Sequence, residues 1–326
     1  MPFRCGAADR PHRVLRHLLS VTSGELLPLS PVLSGQPLRP LCCIAMTSET
    51  ASLDAKLVEL RTLIRGLGSA LVCFSGGTDS ALVLAIATEQ LGQRAIGMTA
   101  LSPSLPQAEQ QDAARIARQL GAEHRLVASN EIERPEYAAN APDRCYHCRT
   151  VLYEIARQKC IEWDLSQVLN GTNTDDFGDY RPGLQAAREA GVRSPLAEVG
   201  FSKAHVREAA RRIGLDVWDK PAAACLSSRI PYGTRVTPER LAQIGGFEAA
   251  LKELGFVPVR VRWHDTVARI ELDLADLDRV LSPQLRARIV AAGREHGFQY
   301  VAVDLAGYRT GSHNEVLDSR RLKVLR

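Results

Sequence analysis

Residues 71–83 read LVCFSGGTDSALV, in which two apolar runs flank six small or polar residues. The first run is short and wholly apolar, which is typical of a strand buried on both faces of a parallel sheet. The second run predicts a helix that Ser80 can cap and that Gly92 ends. Between the runs, the side chains missing from Gly76 and Gly77 would let an anion approach backbone N–H groups at the helix N-terminus. The stretch therefore predicts a phosphate-binding loop.

A carboxylate, Asp79, stands inside this loop. Negative charge beside bound phosphates makes electrostatic sense when a divalent cation lies between them, and carboxylate oxygen is a ligand that Mg²⁺ prefers. The alternative is an ordinary strand-to-helix turn without a ligand. A pair of glycines alone would favour that alternative, whereas the full SGGTDS string favours the phosphate-binding loop. The sequence contains no G-x-x-x-x-G-K-[ST] string, which argues against a Walker-type loop and against γ-phosphate transfer.

The SGGTDS string resembles the loop of the PP-loop ATP pyrophosphatases. Members of that superfamily cleave ATP between the α and β phosphates and adenylylate a substrate oxygen. The resemblance therefore implies the activation chemistry. It does not choose the substrate, because NAD synthetases, asparagine synthetases, tRNA-thiolating enzymes and other sulfur transferases share the loop.

Length and composition set the broad class. The chain has 326 residues, of which 45% are apolar and 24% charged, enough for two globular domains with their own cores. No apolar run reaches the roughly 18 residues of a membrane span, so no membrane partner is expected. The five cysteines beyond residue 45 form an odd set outside any small secreted scaffold, which favours a reducing cytoplasm.

Residues 1–45 differ from the rest of the chain. They hold five arginines, no lysine and two acids, and so contribute three of the four net positive charges. We interpret them as an N-terminal extension, either a transit-like leader or translated sequence ahead of a start at Met46, and favour the latter. The remainder is nearly neutral, which argues against a nucleic-acid partner.

Strand and helix patterns alternate over residues 46–237. After a helix with apolar positions from Leu53 to Leu67, the predicted elements are strand 70–74, helix 80–91, strand 95–100, helix 107–120, strand 125–129, helix 143–160 and strand 167–171. Such alternation predicts an α/β domain whose parallel sheet is covered by helices, with ligands at the carboxyl ends of its strands.

The pattern changes near Pro238. Residues 238–326 predict a smaller α+β domain. Its predicted elements are helix 239–254, strands 256–263 and 266–272, helix 283–296 and strand 298–305.

Acidic residues crowd the loop that follows strand 167–171. Asp175, Asp176 and Asp179 lie in GTNTDDFGDYRPG, and like charges rarely cluster at a sheet edge without a cation. A solvated acidic loop is the alternative. Further on, Ser202 predicts a helix N-cap and places Lys203 in the first turn, where a cation opposes the helix dipole. This favours a phosphate partner for Lys203, against the alternative of a surface lysine.

Cys225 lies in a stretch poor in carboxylates, WDKPAAACLSSRIPYGTRVT. The cations around it are Lys220, Arg229 and Arg235. A cysteine among cations ionises readily, and the thiolate is the nucleophilic form. A small core residue is the alternative for Cys225 taken alone.

DDFGDYRPG followed by ACLSSRIPYG closely resembles the LarE family, as do RVRWHDTVARIEL and YVAVDLAGYRTGSHN further on. The resemblance runs from about Ser48 to the C-terminus. LarE enzymes are ATP-dependent sulfurtransferases that act on pyridinium-3,5-biscarboxylic acid mononucleotide. They adenylylate its carboxylates and release a thiocarboxylate, the precursor of the nickel-pincer nucleotide cofactor. The resemblance also implies a homo-oligomer, ATP and Mg²⁺.

The resemblance implies roles for individual residues. Cys225 matches the cysteine that supplies sulfur in the sacrificial members, and Asp79 and Asp176 would hold Mg²⁺. The residues implied to bind ATP or pyrophosphate are Ser75, Gly76, Gly77, Asp79, Ser80, Lys203, Ser228 and Arg229.

Arg260, Arg262 and His264 alternate along a predicted strand, so the period of two places them on one face. Arg269 and Glu271 do the same on the next strand. Arginine binds both phosphate and carboxylate in a bidentate manner, so this face predicts the substrate site. A solvated sheet face is the alternative.

Cys145 and Cys148 form a C-x-x-C pair on a predicted helix, a spacing that puts both sulfurs on one side. Zinc and redox-disulfide interpretations compete with an iron–sulfur cluster, for which a third thiolate is needed nearby. LarE relatives that carry this pair and the third cysteine hold a [4Fe–4S] cluster, so the resemblance implies that Cys145, Cys148 and Cys225 ligate one. We expect His147 to be a bystander.

Two other functions compete with this one. Some PP-loop tRNA thiolases also use three cysteines and a cluster, but the near-neutral charge and the LarE-like strings count against that activity. A nucleotide-binding regulator without catalysis is the second alternative. The retained Asp79, the loop carboxylates and Cys225 argue against it.

Overall fold

Four short strands pair in parallel in the order β3-β2-β1-β4. The computed structural model describes residues 48–178, 182–221, 224–309, 311 and 313. The strands are β1 (Ala70–Cys73), β2 (Ala95–Leu101), β3 (Glu123–Ala128) and β4 (Gln167–Leu169). β1 is central, and all four of its residues are buried, as a strand covered by helices on both faces must be. The predicted parallel-sheet α/β fold is confirmed.

Eight helices accompany this sheet within the described ranges. They are α1 (Ser48–Arg65), α2 (Thr78–Leu91), α3 (Gln107–Gln119), α4 (Pro135–Ala138), α5 (Arg144–Glu162), α6 (Pro182–Glu189), α7 (Pro195–Glu198) and α8 (Lys203–Arg212). One buried cluster joins α1, α2 and α8 to one side of the sheet. A second joins α5 and α6 to the other. The layers explain why β1 is wholly apolar and why the middle of α2, from Ala81 to Ala87, is apolar.

The start of α2 corrects one expectation. The helix begins at Thr78, two residues before the predicted start, and Gly77 is its N-cap without a side-chain hydrogen bond. Ser80 lies inside the first turn, and its hydroxyl bonds the Gly77 carbonyl at 3.1 Å. Ser80 therefore does not cap the helix, because the loop turns into helical geometry earlier than the serine suggested. The Ser202 cap of α8 is as predicted, with its hydroxyl accepting from the His205 N–H.

A smaller mixed sheet follows. β5 (Val259–His264) pairs antiparallel with β6 (Val267–Leu272), which pairs parallel with β7 (Tyr300–Val303). The helices α9 (Pro238–Glu253) and α10 (Pro283–Glu295) accompany it. The α+β character of this part is confirmed, although β5 begins three residues after its predicted start and β7 is shorter than predicted.

The core of the smaller sheet takes residues from before Pro238. Tyr137 of α4 and Leu226 and Ile230 of the Cys225 region are buried with Phe247 of α9 and Val261 of β5. The two sheets thus share packing within the compact unit Met46–Arg326. The boundary at residues 237 and 238 stays a prediction, and the extension 1–45 and Asp179 lie outside the described residues. Among the helices that the structure describes, none has the length and apolar character to span a membrane.

Candidate active site

The predicted phosphate loop lies at the carboxyl end of β1. Gly76 adopts a φ of 73°, and a Cβ on it would lie 3.2 Å from the Cα of Ala113 in α3. Both the left-handed backbone and the close approach require glycine at this position. The hydroxyls of Ser75 and Ser80 lie 3.2 Å apart, which fixes the loop against the first turn of α2. The N-terminus of α2 is a favourable site for an anion.

Asp79 lies in the first turn of α2 between an amide and an ammonium group. One carboxylate oxygen accepts from the Asn173 side chain at 3.0 Å. The other accepts from the Lys203 ammonium, with which it forms an ion pair. The side chain of Asp79 is 25% exposed, so the carboxylate remains accessible. Lys203 was expected to contact phosphate, and here its partner is the carboxylate beside the phosphate loop.

Asn173 organises the acidic loop after β4. Its backbone N–H donates to Asp176 at 3.0 Å, and its side-chain oxygen accepts from the Asp175 N–H at 3.0 Å. Asp175 in turn accepts from the backbone N–H of Lys203 at 3.0 Å. Sequence reasoning missed Asn173 because an amide carries no charge signal. Its position in GTNTDD, directly after a strand, is the feature that could have indicated it.

The loop after β4 touches the phosphate loop directly. A Cβ on Gly171 would lie 2.7 Å from the Ser80 nitrogen and 2.9 Å from the Asp79 carbonyl carbon. The structure therefore brings Asp79, Asp176 and Lys203 together at the carboxyl ends of β1 and β4, as predicted. Mg²⁺ typically uses one or two carboxylates together with substrate phosphates. Asp79 and Asp176, linked through Asn173, fit that ligand set.

A second group of predicted residues surrounds the turn that carries Cys225. Arg229 is buried and forms an ion pair with Glu248 of α9, with a distance of 2.8 Å from Nε to Oε1. The same guanidinium donates to the carbonyls of Ala224 and Cys225 at 2.9 and 3.1 Å. The Ser228 hydroxyl donates to the Cys225 carbonyl at 2.8 Å. In the structure Arg229 and Ser228 hold the Cys225 turn, and their contact with a nucleotide stays a prediction.

Two further arginines converge on the same turn. Arg144, the first residue of α5, donates to the Ser227 carbonyl at 2.9 Å, and Arg262 of β5 donates to the Ser228 carbonyl at 2.8 Å. Arg144 was not among the predicted site residues. Its place beside Cys145 was visible in the sequence, but its burial was not. Lys220 was expected near Cys225 and instead bonds Glu109 and Asp112 of α3, because those carboxylates neutralise it.

The three predicted cluster ligands differ in their surroundings. Cys145 is exposed, whereas Cys148 and Cys225 are partly covered. Burial raises the pKa of the Cys148 thiol to about 12, and the neighbouring Cys225 adds to this rise. Cys148 packs against the buried cluster that contains Leu226, the residue directly after Cys225. Within the ranges that the structure describes, no three His, Cys, Asp or Glu side chains are arranged to hold a metal ion.

The smaller sheet places its charged residues on one face, as predicted. The strand register sets Arg260 opposite Glu271 and Arg262 opposite Arg269. Glu271 is fully buried and forms a two-bond ion pair with Arg262, at 2.9 and 2.8 Å. The face is thus no solvated surface. Substrate binding by these four residues stays a prediction.

The other two arginines of this face have different partners. The guanidinium of Arg260 stacks over the Tyr308 ring at 4.5 Å from the centroid. Burial lowers the pKa of Arg260 from its usual value. Arg269 pairs with Asp304 and approaches Glu271 at 3.3 Å. The face therefore combines several guanidinium groups of which some are already neutralised by carboxylates.

The chain shares sequence with characterised and uncharacterised proteins. Residues 60–161 match the asparagine synthase family. The chain is 36% identical over 273 residues to pyridinium-3,5-bisthiocarboxylic acid mononucleotide synthase of Lactiplantibacillus plantarum, covering 83% of this chain and 98% of that protein. It is 43% identical over 265 residues to an uncharacterized protein of Synechocystis sp., covering 81% of this chain and 99% of the relative. It is 26% identical over 240 residues to an uncharacterized protein of Methanocaldococcus jannaschii.

Proposed function

This chain belongs to the LarE family of ATP-dependent sulfurtransferases, within the PP-loop ATP pyrophosphatases, and we propose that it transfers sulfur to pyridinium-3,5-biscarboxylic acid mononucleotide. One observation supports this most. The Leu226 N–H, next to Cys225, donates to the Ser104 carbonyl at 2.8 Å, just beyond the end of β2. β2 neighbours β1, so the cysteine turn is anchored at the same sheet edge as the phosphate loop. A substrate carboxylate that is adenylylated at the phosphate loop would therefore lie near the Cys225 sulfur.

The activation step uses the phosphate loop. The N–H groups at the start of α2 bind the β and γ phosphates of ATP, and the hydroxyls of Ser75 and Ser80 hold the loop in shape. Asp79 and Asp176 hold Mg²⁺, which supplies the charge neutralisation that pyrophosphate needs as a leaving group. A substrate carboxylate oxygen attacks the α phosphorus, and pyrophosphate leaves. Lys203 exchanges its Asp79 contact for a phosphate oxygen.

The arginine-rich sheet face binds the substrate in this proposal. The substrate carries one phosphate and two carboxylates, and guanidinium groups bind both kinds of anion in a planar, two-bond geometry. The guanidinium of Arg260 contacts the Tyr308 ring and the Arg309 carbonyl. Its charge is therefore less neutralised than that of Arg262. Arg262 is already paired with Glu271 and acts by holding Ser228.

Sulfur transfer takes place at Cys225 in this proposal. Arg144 and Arg229 hold the turn that carries Cys225, through the carbonyls of Ser227, Ala224 and Cys225. The sulfur attacks the acyl adenylate and AMP leaves, which gives a thioester. Removal of the Cys225 Cα proton by a base then breaks the Cβ–Sγ bond, so that the thiocarboxylate leaves and dehydroalanine remains at position 225. Arg229 fixes the main chain of the turn through two carbonyls, so the sulfur is positioned by a buried ion pair.

The [4Fe–4S] cluster stays a prediction from the sequence. The three thiols are not arranged as a metal-binding group in the structure, so they do not fit a cluster in this conformation, and no step is derived through one. Anaerobically purified protein measures this directly. About four irons per chain, lost on changing any of Cys145, Cys148 or Cys225 to alanine, would support the cluster-bearing type.

Isotope exchange between ATP and pyrophosphate tests the proposed function. We expect labelled pyrophosphate to enter ATP only when the pyridinium biscarboxylate mononucleotide is present. Total tRNA in place of the mononucleotide is the control and should support no exchange. Exchange that requires tRNA would show a tRNA thiolase instead, and the absence of exchange with either substrate would refute adenylylation.

A further inference from the structure

A buried carboxylate, Glu131, lies next to the cysteine site and has no part in the mechanism above. It follows β3 and is 2% exposed. Its two oxygens accept hydrogen bonds from three hydroxyls, those of Ser102, Ser104 and Ser129. Burying a charge costs several kcal/mol of free energy, so a carboxylate in such a place is retained where its hydrogen bonds do something specific.

Ser104 connects this carboxylate to one side of the cysteine turn. Its hydroxyl lies 3.3 Å from Glu131 and shares a 2.8 Å hydrogen bond with Ser102. Its carbonyl accepts the Leu226 N–H, the backbone group that directly follows Cys225. Fixing Ser104 therefore fixes the main chain at the C-terminal side of the cysteine.

Tyr137 holds the next part of the turn. Its hydroxyl shares a 2.6 Å hydrogen bond with the Ser227 hydroxyl. Tyr137 and Ser227 are both at most 1% exposed, so water does not compete for this bond. The two residues after Cys225 are thus both held by hydrogen bonds, Leu226 through Ser104 and Ser227 through Tyr137.

Packing places this turn beside Cys148. Cys148 packs against the buried cluster that contains Tyr137 and Leu226, the residue directly after Cys225. Arg144, on the same helix as Cys148, donates to the Ser227 carbonyl. Glu131 is thus joined through Ser104 to a turn that packs close to Cys148.

We propose that Glu131 is a positioning residue which, through Ser104, holds Cys225 facing Cys148. This rests on the proposed function only in calling the place a sulfur-transfer site. Without the carboxylate, Ser104 loses its anchor, the turn shifts, and the Cys225 sulfur spends less time near Cys148. The phosphate loop does not depend on this path, so adenylylation is unaffected.

Disulfide capture tests the position without any substrate. In a full-length chain carrying Cys145→Ala, diamide oxidises the Cys148 and Cys225 thiols to a disulfide, taking two hydrogens and becoming the hydrazide. Peptide mapping by mass identifies that bond. Glu131→Ala should form it at least about tenfold more slowly, the usual scale for losing a group that orients a ligand. Ser104→Ala should slow disulfide formation to the same extent. It replaces Glu131→Ala in the test if that variant does not fold.

Ser129→Ala is the matched control, because Ser129 bonds the same carboxylate but lies off the path to the turn. It should form the disulfide at the unaltered rate. Pyrophosphate exchange should be equal in all four proteins, which a general structural defect would not allow. Equal disulfide rates in the Glu131→Ala, Ser104→Ala and Ser129→Ala proteins would overturn the proposal. Slowed capture in a chain that never makes thiocarboxylate would refute the proposed function alone.

Discussion

Asp79 shows at the scale of one residue how the site is held together. A carboxylate in the first turn of a helix interacts favourably with the helix dipole, and here it also has Asn173 and Lys203 as partners. Lys203 thus neutralises the charge that Mg²⁺ is proposed to neutralise during catalysis. Asp79 and phosphates carry charge of the same sign, so a cation is needed between them when phosphate binds.

Asp79→Asn should reduce pyrophosphate release at least about a hundredfold, because loss of a metal ligand and its charge removes several kcal/mol of transition-state stabilisation. The fold should survive, since an amide still accepts from Asn173. Release is measured with a coupled phosphate assay. Asp175→Asn is the control, because Asp175 is exposed and its carboxylate accepts from the Lys203 backbone N–H and the Thr174 hydroxyl, and it should have a smaller effect. Activity of Asp79→Asn within a few-fold of the unaltered chain would contradict the phosphate-loop assignment.

Site residues that lie together in one continuous sequence motif were predictable from the sequence. Ser75, Gly76 and Asp79 come from one continuous loop, so their proximity needed no tertiary information. Arg229 is different, because its partner Glu248 belongs to another element and only the fold shows that both are buried. Glu131 was missed for the same reason, because its partners Ser102 and Ser104 lie in another part of the chain.

At the scale of elements, the contact between the β4 loop and α2 forms the phosphate site. Gly171 packs against the backbone of Asp79 and Ser80 with no room for a side chain. Two parallel strands and their following loops thus meet at one point, and a single methyl group would separate them.

Gly171→Ala should lower the free energy of unfolding by about 1–3 kcal/mol, the usual cost of inserting a methyl group into packed backbone. It should also weaken ATP binding, because α2 must move away from the acidic loop. Urea denaturation and equilibrium binding of ATP measure the two effects. Gly178→Ala is the matched control, since a Cβ there meets no atom within 4 Å. Equal stability and equal ATP affinity in the two variants would show that the contact is not close.

Helix α5 places two cysteines one turn apart in different environments. The raised pKa of Cys148, about 12, keeps its thiol protonated from neutral pH to well above pH 9, whereas Cys145 is exposed. Iodoacetamide reacts with the thiolate, so Cys145 should be alkylated first at pH 8. The rate at Cys148 should rise about tenfold per pH unit up to its pKa. Timed alkylation with peptide mapping checks this, and equal rates at pH 8 would contradict the burial of Cys148.

Element types were predictable because their apolar periods are strong. The predicted helices and strands of the first sheet occur in the observed order, and most of their ends differ by three residues or fewer. The short helices α4, α6 and α7 were not predicted. The start of α2 differs from the prediction because the sequence does not show whether the Ser80 hydroxyl caps the helix or, as observed, bonds the Gly77 carbonyl within the first turn. β7 is shorter than predicted because its length is set by which residues pair with β6. The sequence of residues 298–305 alone does not show this pairing.

At the scale of the whole molecule, the turn that carries Cys225 connects the two sheets. It is bonded to Ser104, which follows β2 of the first sheet, and it packs through Leu226 and Ile230 into the core of the second. Arg262 of the second sheet then bonds Ser228. The sulfur site is therefore built where both sheets contribute, which sequence segments considered one at a time do not reveal.

Formation of thiocarboxylate by the full-length chain tests the central claim most directly. Protein, ATP, Mg²⁺ and the pyridinium biscarboxylate mononucleotide are combined anaerobically, and the nucleotide is weighed by mass spectrometry after one turnover. We predict a gain of about 16 Da, sulfur in place of oxygen, for the unaltered chain. Cys225→Ala should give pyrophosphate exchange at the unaltered rate and no mass gain. Thiocarboxylate from Cys225→Ala at the unaltered rate, or exchange without any mass gain in the unaltered chain, would contradict the account.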